Sequence, residues 1–269
     1  MLTRTTLLAL AVTLAGCSRS SNDTAELGPN DPINLEDRLG DPNVVAVGVT
    51  VSPTSGTVYV LTTQGLYSVT ENGEFSLFAD EQTLYQAAPS STYTDIVALG
   101  NGQFALTALN DGFWFDSVNG TVQQHFCYVP GFFIPGTTSQ LTQGVAFDPA
   151  TQRLIAQPVT FQQGSIAITN SEVGTFPITG GEGDDWHPIP DITFLAGAIA
   201  VDDQSRLWLG RGSELHRYDL DNDTMTFERS LEEFGVTDIH GLAFHGDRLL
   251  VVDQPSRTLV RVPLGLLGL

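Results

Sequence analysis

The two cysteines of the sequence suggest different chemistry. Cys17 ends an apolar run near the amino terminus, whereas Cys127 follows His125 by two residues in a segment of alternating apolar and polar residues. A thiol beside an imidazole could form a reactive nucleophile or a metal site. On a β-strand, however, residues two apart only share a face, and a lone cysteine is most often a small, half-buried hydrophobe. We therefore assign no catalytic role to Cys127.

An acidic and aromatic segment is a second candidate for chemistry. Asp184, Asp185, Trp186 and His187 follow one another in the longest connection between apolar segments, which predicts a loop. Loops on a rigid scaffold often carry binding residues, and an exposed tryptophan is a common binding anchor. The alternative is that Trp186 packs beneath its own loop. The sequence leaves both interpretations open.

The acidic run from Asp219 to Thr224 is similar to the beginning of a calcium-binding loop. Thr224 stands where that loop needs glycine and Ser230 where it needs glutamate, so a hairpin between two strands explains the run better. The histidines show no metal-ligand spacing, and the sequence contains no hydrolase elbow, zinc-protease motif or phosphate-binding loop. We expect no metal site and no cofactor, and we assign no catalytic residue.

The amino terminus has the order of a secretory signal. Arg4 is its only charge, an apolar run extends from Leu7 to Leu14, and small residues follow. This run is too short to span a bilayer as a helix. The tetrapeptide Leu14-Ala15-Gly16-Cys17 resembles the bacterial lipobox. An ordinary cleaved signal with a coincidental cysteine is the alternative.

The lipobox resemblance implies removal of residues 1–16, a diacylglyceryl group on the Cys17 thiol and an acyl chain, such as palmitate, on the new amino terminus. Three acyl chains would hold the protein firmly on a membrane. Ser18 stands where an aspartate would signal retention in the inner membrane, which favours the outer membrane. We expect a lipoprotein on the periplasmic or extracellular side, in which Cys127 has no disulfide partner.

Composition excludes some partners and defines the domain. Acidic residues outnumber basic ones 31 to 11, and the net charge of −20 would repel nucleic-acid phosphates. Hydrophobic residues make up 41% of the chain, enough for a large core. Residues 17–43 contain few large apolar side chains and are predicted to form a flexible tether, with Ile33, Asn34 and Leu35 as a short strand. The folded domain is predicted to span residues 44–269.

Five segments of that domain share one template of short apolar strands separated by turns. The template aligns at equivalent positions about 43 to 54 residues apart: Val51, Leu99, Phe147, Val201 and Phe244. Periods of this length are typical of propeller blades or helical repeats. The segments are β-branched, aromatic and leucine-rich runs bounded by Gly, Asp, Asn and Ser, so they predict strands. The sequence therefore predicts an all-β propeller with about five blades of four strands.

The last repeat, His240 to Val262, resembles a blade of the NHL and SMP-30/gluconolactonase-like propellers. Its Gly-hydrophobic-Ala segment leads into a short turn and then a strand that ends in Asp253. Members of that superfamily usually have six blades, so six is the alternative count. The last repeat supplies only three strands, and we expect the ring to close by pairing strands from the two termini. Asn34 and Leu35 are the expected donors, with the apolar tail from Leu264 as a competitor.

The innermost strands of a propeller surround a central channel. By the alignment, the residues at its mouth are Val47, Asp95, Gln143, Gly197 and His240. The resemblance to gluconolactonases implies a calcium shell of Glu, Asn and Asp at these positions, and only Asp95 matches it. Asp95, Gln143 and His240 could form a polar ligand site, or line a water-filled channel.

Two functions follow. The first is a binding or assembly module for a protein, glycan, peptide or small ligand at the cell envelope. The second is a gluconolactonase-like hydrolase that uses the channel. The missing metal shell favours the first.

Overall fold

The computed structural model describes residues 27–87, 93–108, 111–116, 121–127, 138–162, 168–178, 185–191 and 193–269. Among these residues the chain forms five four-stranded antiparallel sheets, three short α-helices and one 3-10 turn. The innermost strands of the sheets contact one another in a closed cyclic order. This arrangement confirms the predicted all-β propeller, and each sheet is one of its blades.

The strands follow the chain from the outside of one blade to the inside of the next. An amino-terminal strand and helix come first: β1 (Ile33–Asn34) and α1 (Leu35–Leu39). Blade 1 contains β2 (Ala46–Val51), β3 (Val58–Thr62), β4 (Gly65–Val69) and β5 (Phe75–Asp80), followed by α2 (Glu81–Ala87). Blade 2 contains β6 (Tyr93–Gly100), β7 (Gln103–Ala108), β8 (Asp111–Asp116) and β9 (Thr121–Cys127). Blade 3 contains β10 (Thr138–Asp148), β11 (Arg153–Gln162), β12 (Ile168–Pro177) and β13 (Asp185–Pro188). Blade 4 contains β14 (Ala198–Val201), β15 (Leu207–Arg211), β16 (Glu214–Asp219) and β17 (Thr224–Ser230), followed by the 3-10 turn Glu232–Phe234. Blade 5 contains β18 (Ile239–His245), β19 (Arg248–Asp253) and β20 (Thr258–Pro263), followed by α3 (Leu264–Leu267).

Blade 5 is completed by the amino-terminal strand. β1 pairs antiparallel with β20, with Ile33 opposite Leu259 and Asn34 opposite Thr258. The predicted closure by strands from both termini is therefore confirmed. Ile33 is almost fully buried there, so the short strand both pairs with the edge of β20 and covers its apolar face. The competing tail from Leu264 forms α3 instead.

The described part of the predicted tether is packed on the domain. Asn34 caps α1 by accepting a hydrogen bond from the Asp37 N–H (3.0 Å), and Gly40 ends the helix in the left-handed conformation. Leu35 is fully buried in the core between blades 5 and 1. The tether predicted for residues 17–43 is therefore wrong for residues 27–43. A few apolar side chains suffice here because the propeller supplies the surface against which they are buried.

In the part of the chain that the structure describes, the hydrophobic core forms five clusters, and each cluster lies between two neighbouring blades. One cluster lies between blades 1 and 2, and the others lie between blades 2 and 3, 3 and 4, 4 and 5, and 5 and 1. Every blade is therefore stabilised by apolar contacts on both faces. The outermost strands β5 and β17 are mostly exposed, which places the stabilising contacts toward the centre of the ring.

Candidate functional site

A cavity of about 520 Å³ lies at the centre of the ring, where the innermost strands end. We call this end of the ring the lower face, and the end at which the innermost strands begin the upper face. All five innermost strands contribute to the wall. The wall is formed by these residues, which apart from Thr50 are aliphatic: Val49, Thr50, Ile96, Ala98, Val145, Ala146, Ile199, Ala200, Leu242 and Ala243. Each innermost strand pairs on one side only, so its free edge also turns backbone N–H and C=O groups toward the axis.

The rim of the cavity is more polar than its wall. The turn after β14 contributes Asp203 and Gln204, both exposed, while Pro53 and Pro149 come from the corresponding turns of blades 1 and 3. On the side of blade 5, the carboxy-terminal Leu269 lies at the mouth. The cavity therefore combines largely aliphatic side chains in its interior with charged and polar side chains at its entrance, a combination suited to binding an apolar group.

Asp202 supports the rim without being available to a ligand. Its carboxylate accepts hydrogen bonds from Arg206 Nε (2.6 Å) and Trp208 Nε1 (2.9 Å), and from the backbone N–H groups of Arg206 and Gln204. Burial alone would raise the pKa of Asp202, but these hydrogen bonds outweigh burial and lower it. The residue is a fixed anion that holds the turn in place.

Asp95 is buried between strands and does not belong to the cavity wall. Its Oδ2 accepts a hydrogen bond from the Val145 N–H (3.1 Å) on the next blade, and its Oδ1 accepts one from the Ile96 N–H (2.8 Å). The side chain is 2% exposed. Burial raises the pKa of Asp95 well above the usual range, and the two N–H groups oppose that shift only in part. Asp95 thus connects blades 2 and 3.

Contacts between adjacent innermost strands show which residues of the other blades are equivalent to Asp95. A Cβ added to Gly241 would lie 2.8 Å from the Val49 N, and a Cβ added to Gly48 would lie 2.4 Å from Asp95 Oδ1. These glycines let adjacent innermost strands approach closely, and Asp95 stands at the same place in blade 2. The alignment that made Asp95 equivalent to His240 is therefore wrong by one residue. The physical reason is an irregular register in β6 between Ala98 and Gly100, which shifts the residues before it.

The structure describes the side chains of two of the three predicted channel residues, Asp95 and His240. His240 lies at a bulge near the upper face, and its Nδ1 is 3.7 Å from an Asp238 carboxylate oxygen. Neither Asp95 nor His240 lines the cavity. The backbone of Gln143 belongs to β10, while its side chain lies outside the described part of the structure.

Asp185, Trp186 and His187 do not form a loop, since they belong to β13, the outermost strand of blade 3. Trp186 lies on Phe176 with ring centroids 5.6 Å apart and an interplanar angle of 85°, and it covers Gly174, where an added Cβ would be 2.6 Å from its ring. Trp186 thus packs against its own blade from a strand, not beneath a loop. Asp184 and Cys17 lie outside the described residues.

His187 lies between two carboxylates. Its Nδ1 is 2.9 Å from Asp223 Oδ1 of blade 4, and its Nε2 is 3.3 Å from Asp185 Oδ2. Tyr218 reaches the same region, donating a hydrogen bond from its hydroxyl to the Pro188 carbonyl (2.9 Å). The two carboxylates are on opposite edges of the imidazole, so this arrangement connects blades 3 and 4 rather than forming a common set of metal ligands.

Sequence reasoning anticipated a central channel but not the residues of this cavity. Its wall consists of residues that the repeat pattern marked only as apolar strand positions, and its rim comes from turns after those strands. Among the residues that the structure describes, no three His, Cys, Asp or Glu side chains are grouped so that they could hold a metal ion. In the same part of the chain, no helix has the length and apolarity needed to cross a membrane.

Comparison with known proteins supports the fold. No protein-family model and no curated protein sequence matches the chain. Among solved structures, it is similar to a chain of a nidogen/laminin complex, with 12% identity and a TM-score of 0.54 over 84% of this chain and 78% of that one. It is also similar to a gluconolactonase from Xanthomonas campestris, with 14% identity and a TM-score of 0.51 over 87% of this chain and 96% of that one. At these identities the likeness establishes the propeller fold alone.

Proposed function

We propose that the protein is a lipid-anchored binding module of the cell envelope, and that its central cavity takes an apolar side chain from a peptide or protein partner. The observation that carries this proposal is the chemistry of the cavity. Apart from Thr50 and backbone groups its wall is aliphatic, its charged side chains are at the rim, and its volume of about 520 Å³ is sufficient for one or two large side chains.

The acidic residues near the centre support binding rather than hydrolysis. Asp95 accepts two backbone hydrogen bonds away from the cavity, and Asp202 accepts hydrogen bonds from Arg206, Trp208 and the turn. A hydrolase needs a base or a metal within reach of the reacting atom. Asp203, on the exposed rim, is better placed to orient a partner than to act as a base in a water-excluded site.

The lipid anchor rests on the amino-terminal sequence. Leu14-Ala15-Gly16-Cys17 follows an apolar run in the order that lipobox signals have, and Ser18 favours the outer membrane. Replacing Cys17 with Ala should release the protein from membranes or leave it unprocessed. Unchanged membrane fractionation together with normal cleavage of the variant would contradict the anchor.

Site-specific photo-crosslinking in the source cells tests the binding role. We would place p-benzoylphenylalanine at Asp203, on the rim, and at Pro255, which is exposed on the upper face of blade 5. A discrete cross-linked species from position 203 that is missing from position 255 is the expected result. Equal cross-linking from both positions, or none from either, would contradict a partner at the cavity.

The alternative function is a gluconolactonase-like hydrolase, which the likeness to the Xanthomonas enzyme favours. The full-length protein should not hydrolyse glucono-δ-lactone above the buffer rate, with or without Ca²⁺. Calcium-dependent hydrolysis that is lost in Asp95→Asn would replace the binding module with the enzyme.

A further inference from the structure

The chain enters the domain at the lower face. β1 runs antiparallel to β20, so the residues before Ile33 lie beside the end of β20. The guanidinium of Arg261 holds them there: Nε donates to the Asp31 carbonyl (3.0 Å), Nη2 to the Gly28 carbonyl (2.8 Å) and Nη1 to the Glu71 carbonyl (2.7 Å). Arg261 is only 5% exposed, so the entry point is rigidly attached to blades 5 and 1.

The carboxy-terminal helix α3 lies at the same face. The Leu264 N–H donates to the carbonyl of Asp247, in the turn that follows β18 (2.8 Å). Leu264 and Leu267 pack on the core between blades 4 and 5. Leu266 and Leu269, by contrast, are 56% and 40% exposed. The helix is thus fixed by two leucines, while Leu266 within it and Leu269 just after it are exposed.

We propose that the lower face lies against the bilayer in which the protein is anchored, with Leu266 and Leu269 in the lipid interface. This inference rests on the lipid anchor proposed above. Ten residues separate Cys17 from Leu27, and fully extended they span at most about 35 Å. The chain enters the domain at the lower face, so this face can lie on the membrane even if the residues between Cys17 and Leu27 are not extended.

The upper face is much harder to place on the same membrane. If the upper face lay on the membrane, the residues before Leu27 would first have to extend from the lower face to the upper face, along the full length of a blade. β18 alone, with seven residues, rises about 20 Å. The tether would then have to reach beyond the loops of the upper face. The short tether and the two exposed leucines therefore favour the same orientation.

The charged side chains of the lower face determine which lipid headgroups it can contact. Asp203 at the rim and Asp247, whose side chain is 86% exposed, lie on the lower face. Carboxylates repel anionic headgroups, so contact should be closest on a zwitterionic surface and weaker on an anionic one at low salt. In this orientation the cavity opens toward the membrane, and a segment that enters it must lie at the membrane surface.

Fluorescence on the lipidated full-length protein tests the orientation. In a Cys127→Ala background, we would introduce Leu269→Cys or, as the matched control on the upper face of the same blade, Pro255→Cys. Each variant would be labelled with nitrobenzoxadiazole and bound to phosphatidylcholine vesicles containing a fraction of acyl-brominated phosphatidylcholine. Thermal unfolding of each variant in parallel verifies that the fold is retained.

The expected result is a blue-shifted emission at position 269, strongly quenched by the brominated lipid, with no quenching at position 255. Replacing phosphatidylcholine in part with phosphatidylglycerol at low salt should reduce the quenching at 269. If the protein floats with vesicles but neither position is quenched, or position 255 is quenched more, the orientation is refuted while the anchor stands. If the protein does not float with vesicles, the anchor and the orientation fall together.

Discussion

The contact between Gly48 and Asp95 allows a quantitative test of how the blades are held together. In Gly48→Ala the new Cβ would lie 2.4 Å from Asp95 Oδ1 and 3.2 Å from the Ile96 N. The carboxylate cannot move aside freely, because it is buried and bonded to the N–H groups of Ile96 and Val145. Overpacking in a core costs about 1–3 kcal/mol. Displacing the carboxylate would add about 1–3 kcal/mol for the buried Val145 N–H left without a partner.

We therefore expect Gly48→Ala to lower the free energy of unfolding by about 3 kcal/mol. The change Asp95→Gly should suppress much of this loss, because it removes the atom with which the new Cβ collides. In a double-mutant cycle the coupling energy should be about 1–3 kcal/mol. Urea unfolding followed by circular dichroism, with all four proteins measured at one pH, provides the free energies.

Gly241→Ala is the matched control. Its Cβ would collide with the backbone of blade 1, 2.8 Å from the Val49 N and 3.0 Å from the Gly48 Cα. Asp95→Gly does not remove those atoms, so the coupling between these two changes should stay within about 0.5 kcal/mol. Equal coupling for both alanine variants, or a cost below about 0.5 kcal/mol for Gly48→Ala, would refute the assigned contact.

Three further outcomes are expected. Because burial raises the pKa of Asp95 in the folded state, its protonation stabilises the fold below the unfolded pKa, and this contribution is lost as pH rises through the folded pKa. The difference in unfolding free energy between the native protein and Asp95→Asn should accordingly fall as pH increases above 4, and a flat difference would contradict the burial effect. Deleting residues 32–38 should lower stability by several kcal/mol, since Ile33 and Leu35 are buried and β20 loses its partner; a variant that melts at the native temperature would disprove closure by β1. Millimolar Ca²⁺ and Mg²⁺ should raise the melting temperature equally at matched ionic strength, whereas a calcium-specific increase abolished by Asp95→Asn would indicate a metal site.

Local pattern was sufficient to predict the propeller and its closure. Strands with alternating or continuous apolar residues, separated by turns rich in Gly, Asp and Ser, recur along the chain, and each repeat contains the information for one blade. The missing fourth strand of the last repeat also pointed to Asn34 and Leu35 as its partner, because strand edges require pairing. The strand that pairs is Ile33–Asn34, since Leu35 already begins α1. These features depend on neighbouring residues, so the sequence reveals them directly.

The role of Asp95 depended on the tertiary structure. Its equivalence to Gly48 and Gly241 follows from contacts between blades, whereas the sequence alignment placed it one residue away because β6 contains an irregularity. Likewise, Trp186 could be placed only once β13 was seen to pair with β12. A bulge changes register without changing composition, so no local pattern marks it.

The sequence alone determined the repeated strands of this protein, about four in each repeat, and their order, because these follow from side-chain periodicity and turn chemistry. The tertiary structure alone decided which groups are free to act. Asp95, the carboxylate that looked available, is bonded to backbone donors, and apolar strand residues that looked structural surround the central cavity. The physical reason is that availability depends on burial and on hydrogen bonds between segments distant in the chain, and only ring formation brings those segments into contact.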